Sequence, residues 1–253
     1  MTPPASSQEQ VLVLCRAIPE ESRKYETVVC VAGLTDQGQF RRLYPVPFRP
    51  FIEGGGIQFH KKQWITATLG PPDARDTRAE SRKIDMKSVV NGAKIDDDEV
   101  RRIIQPVLSK SIGEIQSTGA SLGFIRPHLM DYDFHITEDP SKPQQFKFDP
   151  TGNLAGGTKV RLGQESKYTF KCQVGASCEC TYNPHHMLIL DWEVNELYRN
   201  VRKNTPVDQI ESKMRAKWLD FMRTRDLYFM MGTHHRWKNW MIVSVLYLKK
   251  QGT

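Results

Sequence analysis

The feature that most constrains the fold is a series of short segments rich in β-branched residues, separated by turn-forming residues. Val11–Ile18 (VLVLCRAI) and Thr27–Ala32 (TVVCVA) have the composition of strands. After a GLTDQG turn, Gln39–Tyr44 (QFRRLY) predicts a third strand. The three prolines that follow are expected to end it, because proline cannot donate to a strand ladder. A fourth strand is predicted at Gln63–Leu69 (QWITATL).

Two helical regions are predicted, at about residues 96–117 and 190–224, from apolar residues at helical spacing. Asp96 is a good N-cap, and Glu99 three residues later completes a capping box. Pro106 is expected to kink or split the first helix. The predicted fold class is therefore α+β, with a mainly antiparallel, barrel-like sheet and helices in these two regions.

The predicted organisation has four parts. Residues 1–9 are expected to be a flexible tail, and residues 10–138 an N-terminal β-rich part that includes a surface loop or extension at 73–94. Residues 139–166, rich in Pro, Gly, Lys and Gln, are expected to be a loop or linker. Residues 167–253 hold a Cys/His cluster, a basic helical part and a closing strand. The parts could also form one integrated domain.

Composition predicts a soluble cytosolic protein. Hydrophobic residues make up 39% of the chain and charged residues 26%, the proportions of an ordinary globular protein. The apolar run Trp240–Leu248 is far too short to cross a bilayer, so no membrane contact is expected. The N-terminus (MTPPASSQEQ) lacks the basic and apolar regions of a signal peptide. A cytoplasmic location is therefore expected.

Potential metal ligands are concentrated between residues 168 and 193. Thiolates and imidazoles are the ligands that zinc prefers, and a tetrahedral site needs four of them. This segment could supply all four, or it could supply three and take the fourth from the loop before the last strand. The candidate ligands are Cys172, Cys178, Cys180, His185, His186, His234 and His235. A closed four-ligand zinc site would be structural; the simpler alternative is a loop with ordinary thiols and exposed histidines.

Two groups of residues could instead serve a metal-dependent hydrolase. Asp131, Asp133 and His135 alternate with apolar residues along a predicted strand, so they share one face. Such a face could bind a divalent cation, but it is also the wet side of any half-buried strand, which is the favoured interpretation. Glu193 is a candidate base. Asp191 beside it stands where a helix N-cap belongs, which favours a structural role.

Positive charge is concentrated towards the C-terminus. From residue 199 to residue 250 there are twelve Lys and Arg against four acids, an excess that is larger than the net charge of +7 of the whole chain. Cations that can hold phosphates stand beside rings that can stack on bases, notably in THHRWKNW. The predicted nucleic-acid contacts are Arg41, Arg42, Tyr44, Arg49, Lys61, Lys62, Lys213, Lys217, Arg223, Arg225, Arg236, Trp237 and Lys238. The alternative for each is a solvated basic face with its aromatics in the core.

Three segments carry a resemblance to other sequences: RLYPVPFR, CEC with a following DWE, and GTHHRWKNW before the final apolar strand. Over most of its length the chain resembles an uncharacterised family of prokaryotic proteins of similar size. The resemblance implies no activity and adds no functional residue.

The function expected from these features is that of a basic, cytosolic nucleic-acid-binding protein, for DNA or RNA, with a structural zinc site. One alternative is a metal-dependent nuclease or related hydrolase that uses the acidic candidates. Another is a subunit of a larger nucleoprotein assembly with protein partners. The sequence lacks P-loop, G-x-G-x-x-G, G-x-S-x-G and H-E-x-x-H motifs, which disfavours nucleotide-driven and serine-hydrolase chemistry.

Overall fold

The computed structural model describes residues 6–22, 26–48, 59–138 and 163–252, which fall into two compact units. The N-terminal unit contains the described residues up to Pro106, and the C-terminal unit contains those from Val107 onward. Most of the predicted linker lies outside the described residues, so that assignment stays a prediction. The fold is α+β with a barrel-like sheet, as the sequence predicts. Within the described residues, no helix is long and apolar enough to cross a membrane.

A closed barrel forms the N-terminal unit. Its strands are β1 (Ser7–Arg16), β2 (Glu20–Ser22), β3 (Glu26–Thr35), β4 (Phe40–Pro47), β5 (Gln63–Gly70), β6 (Ser81–Ile84) and β7 (Val90–Lys94). β1 pairs antiparallel with both β3 and β5, and this double pairing closes the barrel. Ser7 lies opposite Leu69, so the last three residues of the predicted N-terminal tail belong to the sheet.

The order of the barrel strands is informative. In chain order, β1, β3, β4, β5 and β6 are the first to fifth barrel strands. Around the barrel they follow the order first, second, third, fifth, fourth and back to the first. The third and fifth strands pair in parallel, and the other neighbours are antiparallel. This is the strand order of an OB-fold, a five-stranded Greek-key barrel.

Two expectations for this unit are wrong. β4 continues past Pro45 to Pro47, because a bulge in β4 between the pairs Val31–Leu43 and Val29–Val46 takes Pro45 out of the regular ladder. Its missing N–H is therefore not needed there. Residues 73–94 are not simply a surface loop, since β6 and β7 form within them and β6 completes the barrel.

The helix α1 (Asp97–Ile104) begins as its capping residues predict. The Asp96 carboxylate accepts a hydrogen bond from the Glu99 backbone N–H at 2.9 Å. The predicted helical region then splits at Pro106, where a short 3-10 helix replaces the α-helix. The helix α2 (Ile112–Ser117) follows in the C-terminal unit.

Two small sheets form the C-terminal unit. Its strands are β8 (Leu108–Ser109), β9 (Leu122–Ile125), β10 (His128–Ile136), β11 (Gln164–Lys171), β12 (His185–Leu188), β13 (Asp226–Thr233) and β14 (Trp240–Leu248). One sheet has the order β10-β11-β12 and the other β14-β13-β9-β8. A parallel bridge between Ile189 and Ile242 connects the end of β12 to β14.

The second predicted helical region is confirmed as α3 (Trp192–Asn204) and α4 (Val207–Arg215), which continues into a π-helical turn at Ala216–Phe221. The helices bury their apolar faces in one core with both sheets. Within that core, Tyr168 of β11 stacks on Phe229 of β13 with ring centres 5.2 Å apart.

A buried carboxylate joins α3 to β14. The N-cap Asp191 is fully buried and accepts a hydrogen bond from the Glu193 backbone N–H at 2.9 Å. It also accepts from the Ser244 hydroxyl at 3.1 Å and from the Val245 backbone N–H at 2.7 Å. The predicted capping role of Asp191 is confirmed, and it extends to fixing the last strand.

Candidate metal centre

Four side chains converge where β11 ends and β12 begins. Phe170 near the end of β11 lies opposite His185 at the start of β12, so the strand register brings His185 beside Cys172. The loop between the two strands contains a short 3-10 helix and returns Cys178 and Cys180 to the same point. One potential ligand atom from each of the four residues lies within 4.8 Å of the others.

The spacing of these atoms fits a tetrahedral metal. The Cys172 and Cys178 sulfurs are 3.5 Å apart, and the His185 Nε2 lies 3.5 Å from the first and 3.4 Å from the second. Bonds of about 2.3 Å to sulfur and about 2.05 Å to nitrogen in a tetrahedron separate two sulfurs by about 3.8 Å and sulfur from nitrogen by about 3.5 Å. The cluster could therefore hold a metal ion with little movement.

Burial shifts the pKa values of three of the candidate ligands. Cys172 and Cys180 are buried, whereas Cys178 and His185 are half-buried. Burial raises the pKa of the Cys172 and Cys178 thiols and lowers the pKa of the His185 imidazole. The apolar surroundings thus disfavour thiolates unless a positive charge compensates them, and a bound cation would supply that charge. A neutral imidazole is the form that binds metals.

The other predicted histidine ligands have different partners. His186 follows His185 on β12, and consecutive strand residues point to opposite faces. Its Nδ1 lies 3.1 Å from the Thr169 hydroxyl and 3.4 Å from the Asp133 carboxylate. The His234 Nδ1 accepts two backbone N–H groups of its own turn, and its ring centre lies 4.7 Å from that of His235. The four candidate ligands that the structure brings together therefore come from one segment.

In the residues that the structure describes, the acidic candidates do not form a group of three or more potential ligands close enough to share an ion. Asp131 accepts a hydrogen bond from the Arg215 guanidinium at 2.8 Å. A backbone hydrogen bond from the next residue and this contact with Arg215 lower the pKa of Asp131. His135 is exposed, and Glu193 lies in the first turn of α3. In the part of the chain that the structure describes, the Cys/His cluster is the group of ligands close enough to share an ion.

In the N-terminal unit, two of the predicted nucleic-acid contacts form ion pairs with carboxylates of the protein itself. The Arg41 Nε donates to the Glu9 carboxylate at 2.6 Å, and the Lys62 Nζ donates to Asp97 at 2.5 Å. These carboxylates neutralise the two cations at short range. Of the remaining candidates, Arg42 is buried, Tyr44 and Lys61 are half-buried, and Arg49 lies outside the described residues.

Cations of the C-terminal unit pack against rings and backbone carbonyls. The Lys217 Nζ lies 3.6 Å from the centre of the Phe221 ring, and Arg225 lies over the same ring at 4.4 Å. The Arg223 guanidinium donates to the Met130 carbonyl. These contacts position the cations without cancelling their charge. Lys213 is exposed on α4.

The turn between β13 and β14 presents the basic and aromatic residues that the sequence predicts. Trp237 is 70% exposed, and the Arg236 guanidinium lies 5.7 Å from the centre of its ring. Lys238 beside them is exposed. Because the Ile189–Ile242 bridge is parallel, β12 and β14 run in the same direction, and their first residues lie towards the same end of the unit. The turn and the Cys/His cluster therefore lie towards one end.

Sequence reasoning missed a group of residues that line a cavity of about 610 Å³ in the C-terminal unit. The cavity lining includes Arg126, His128 and Lys250 together with the predicted Arg223 and Arg225. These residues come from three separate segments, and no spacing motif connects them. Pairing of the strands is what brings them together.

Fold and site define a two-unit α+β protein with a candidate Cys/His metal centre. A family model described as Domain of unknown function (DUF8757) matches residues 109–253, more than half of the chain, and the chain belongs to that family. A second model, described as Domain of unknown function (DUF8758), matches residues 7–110. The junction of the two matches lies close to the division between the units after Pro106. A search of curated proteins gives no match.

Proposed function

We propose that the protein binds nucleic acid through its C-terminal unit, and that a structural zinc ion holds the binding surface in place. The observation that carries this proposal is the turn between β13 and β14. There Arg236 lies over the ring of Trp237, which is 70% exposed. An exposed ring can stack on an unpaired base, and a neighbouring cation can bind the phosphate.

The zinc ion is assigned a structural role because the donor set is complete. Cys172, Cys178, Cys180 and His185 would fill all four positions of a tetrahedron, which leaves none for a reacting water. The ion would fasten the end of β11 to the start of β12. Because Ile189 bridges to Ile242, it would also steady the strand that carries the turn.

Charge and fold both favour a polyanionic partner. The segment from residue 199 to residue 250 has twelve Lys and Arg against four acids. Excess positive charge attracts nucleic acid and speeds its association. The strand order of the N-terminal barrel is that of OB-folds, which often bind oligonucleotides, although this support is analogy at the level of the fold.

The test is fluorescence anisotropy with labelled single-stranded DNA and RNA over a range of salt concentrations. Binding should weaken steeply as salt rises, because phosphate contacts release condensed counterions. A double variant, Arg236→Ala with Trp237→Ala, removes one cation and one stacking ring and should weaken binding by at least about tenfold. The matched control, Lys87→Ala with Val90→Ala, removes an exposed cation and an exposed apolar side chain of the N-terminal unit.

Three outcomes would contradict the proposal. They are no detectable affinity for either nucleic acid at low salt, affinity that does not change with salt, or equal binding by the double variant and its control. Cleavage of the labelled strands in the presence of Mg²⁺, Mn²⁺ or Zn²⁺ would favour a hydrolase instead. A protein partner recovered on purification, without affinity for free nucleic acid, would favour a subunit of an assembly.

A further inference from the structure

A cavity with several cations in its lining lies in the C-terminal unit, and none of the four candidate metal ligands lines it. Its volume is about 610 Å³, within the range of about 300–1,000 Å³ that is usual for small-molecule sites. Four cationic side chains line it. They are Arg126, which follows β9, Arg223 and Arg225, which precede β13, and Lys250, which follows β14.

The positive charge of the cavity exceeds its negative charge by three. Asp226 is the sole acid among the described lining residues, so four cations face one carboxylate, and His128 is counted as neutral. Asp226 is already engaged, since it accepts hydrogen bonds from Arg126 and from the Tyr228 hydroxyl. The lining of the cavity therefore carries a net positive charge.

Backbone groups hold two of the other cations in place. The Arg223 guanidinium donates to the Met130 carbonyl, and the Lys250 Nζ donates to the Arg223 carbonyl at 3.4 Å. The Met130 carbonyl orients the Arg223 guanidinium without neutralising it. The Arg225 Nε is buried and has no hydrogen-bond partner in the described part of the chain. A buried donor without a partner is costly, and an anion in the cavity could satisfy it.

We propose that this cavity binds the phosphate group of a nucleotide-sized ligand. An excess of three positive charges suits a multiply charged oxyanion better than a single carboxylate, and the planar guanidinium fork matches the geometry of phosphate. Apolar side chains also line the cavity, namely Leu129, Met222 and Leu227. Of these, Leu129 is half-buried and offers a surface for the base or the sugar. The cavity does not include the turn at Trp237, so this inference does not depend on the proposed function.

The test is isothermal titration at low salt with adenosine monophosphate, inorganic phosphate and adenosine. Adenosine monophosphate should bind, and adenosine should bind at least about tenfold more weakly because it lacks the phosphate. Lys250→Gln and Arg223→Gln should each weaken the binding of adenosine monophosphate by about tenfold or more. Lys249→Gln is the matched control, because this neighbouring exposed lysine does not line the cavity, and its affinity should stay within about twofold of wild type.

Two sources of the phosphate are separated by a pair of short oligonucleotides with and without a 5′-phosphate. Tighter binding of the phosphorylated strand, competed by adenosine monophosphate, would identify the end of a nucleic acid as the ligand. Binding of adenosine monophosphate without such competition would identify a free nucleotide. The inference is overturned if neither adenosine monophosphate nor phosphate binds. It is also overturned if adenosine binds equally well or if both Gln variants bind like wild type.

Discussion

Replacement of one cysteine ligand tests the metal centre most directly. Cys178→Ser is the best perturbation, because Cys178 is half-buried whereas Cys172 and Cys180 lie in the packed core. Structural zinc sites in small peptides bind with about 10–16 kcal/mol. Shared equally among four ligands, this is about 2.5–4 kcal/mol for each. Loss of one ligand should therefore weaken zinc binding by roughly two to three orders of magnitude.

The assay is elemental analysis of the purified protein, followed by competition with a chromophoric chelator to measure affinity. Wild type should carry one zinc ion per chain, and Cys178→Ser should lose it during dialysis. A chelator should lower the thermal unfolding temperature of wild type, because the ion binds the folded state alone. Cys30→Ser is the control, since Cys30 is a half-buried free cysteine of the N-terminal unit, far in sequence from the cluster.

Two results would refute this reasoning. One is wild-type protein that binds no zinc in the micromolar range when it is folded and reduced. The other is a Cys178→Ser variant that keeps stoichiometric zinc with the affinity of the control. Either result would show that proximity of the four side chains reflects ordinary core packing rather than a ligand set.

Three further predictions concern stability. Asp191→Ala removes three hydrogen bonds in the core and should lower the free energy of unfolding in urea by about 3–5 kcal/mol; a loss under about 1 kcal/mol would contradict this. Burial alone would raise the pKa of Asp76, but hydrogen bonds led by that from Arg78 lower it from 3.8 to about 2. Ionised Asp76 should thus contribute roughly 2 kcal/mol to the free energy of unfolding above pH 4, and this contribution should be lost as the pH falls to 2. In acid titrations of stability, Asp76→Asn should flatten this part of the pH profile. Gly33→Ala should prevent the barrel from closing normally and cost more than about 3 kcal/mol in thermal denaturation, because its Cβ would lie 1.9 Å from the Leu12 carbonyl oxygen; wild-type stability would contradict this.

Alternating burial makes β5 predictable from its sequence, and a continuous apolar run does the same for β14 (Trp240–Leu248), which is buried along most of its length. Along β5 (Gln63–Gly70) buried and half-buried residues alternate without exception, and the amino acids follow this pattern. β13 (Asp226–Thr233) is buried at all but its last position, so its sequence carries no period of two and was not predicted as a strand. β6 (Ser81–Ile84) is short and mostly half-exposed, and it depends on pairing with β4 and β5. Tertiary pairing, which local composition does not encode, determines both.

The ligand cluster was predictable as a set of residues but not as a geometry. Clustering of Cys172, Cys178 and Cys180 with two adjacent histidines is visible in the sequence. The choice between His185 and His186 is made by the pleat of β12, which sends the two rings to opposite faces. Which face meets the cysteines depends on the register with β11, and that register is set by long-range pairing.

The structure also distinguishes cations that pair with carboxylates from cations that contact other groups. In the N-terminal unit Arg41 and Lys62 each pair with a carboxylate, so their charge is largely cancelled at short range. In the C-terminal unit the Arg223 side chain is held by a backbone carbonyl, and Arg236 lies over an exposed ring. Counterion release counts phosphates that cations neutralise, so cations already neutralised by acids contribute little to it. The salt dependence of any nucleic-acid binding should therefore decrease more on replacement of Arg236 than on replacement of Arg41, although both are arginines that the sequence alone could not distinguish.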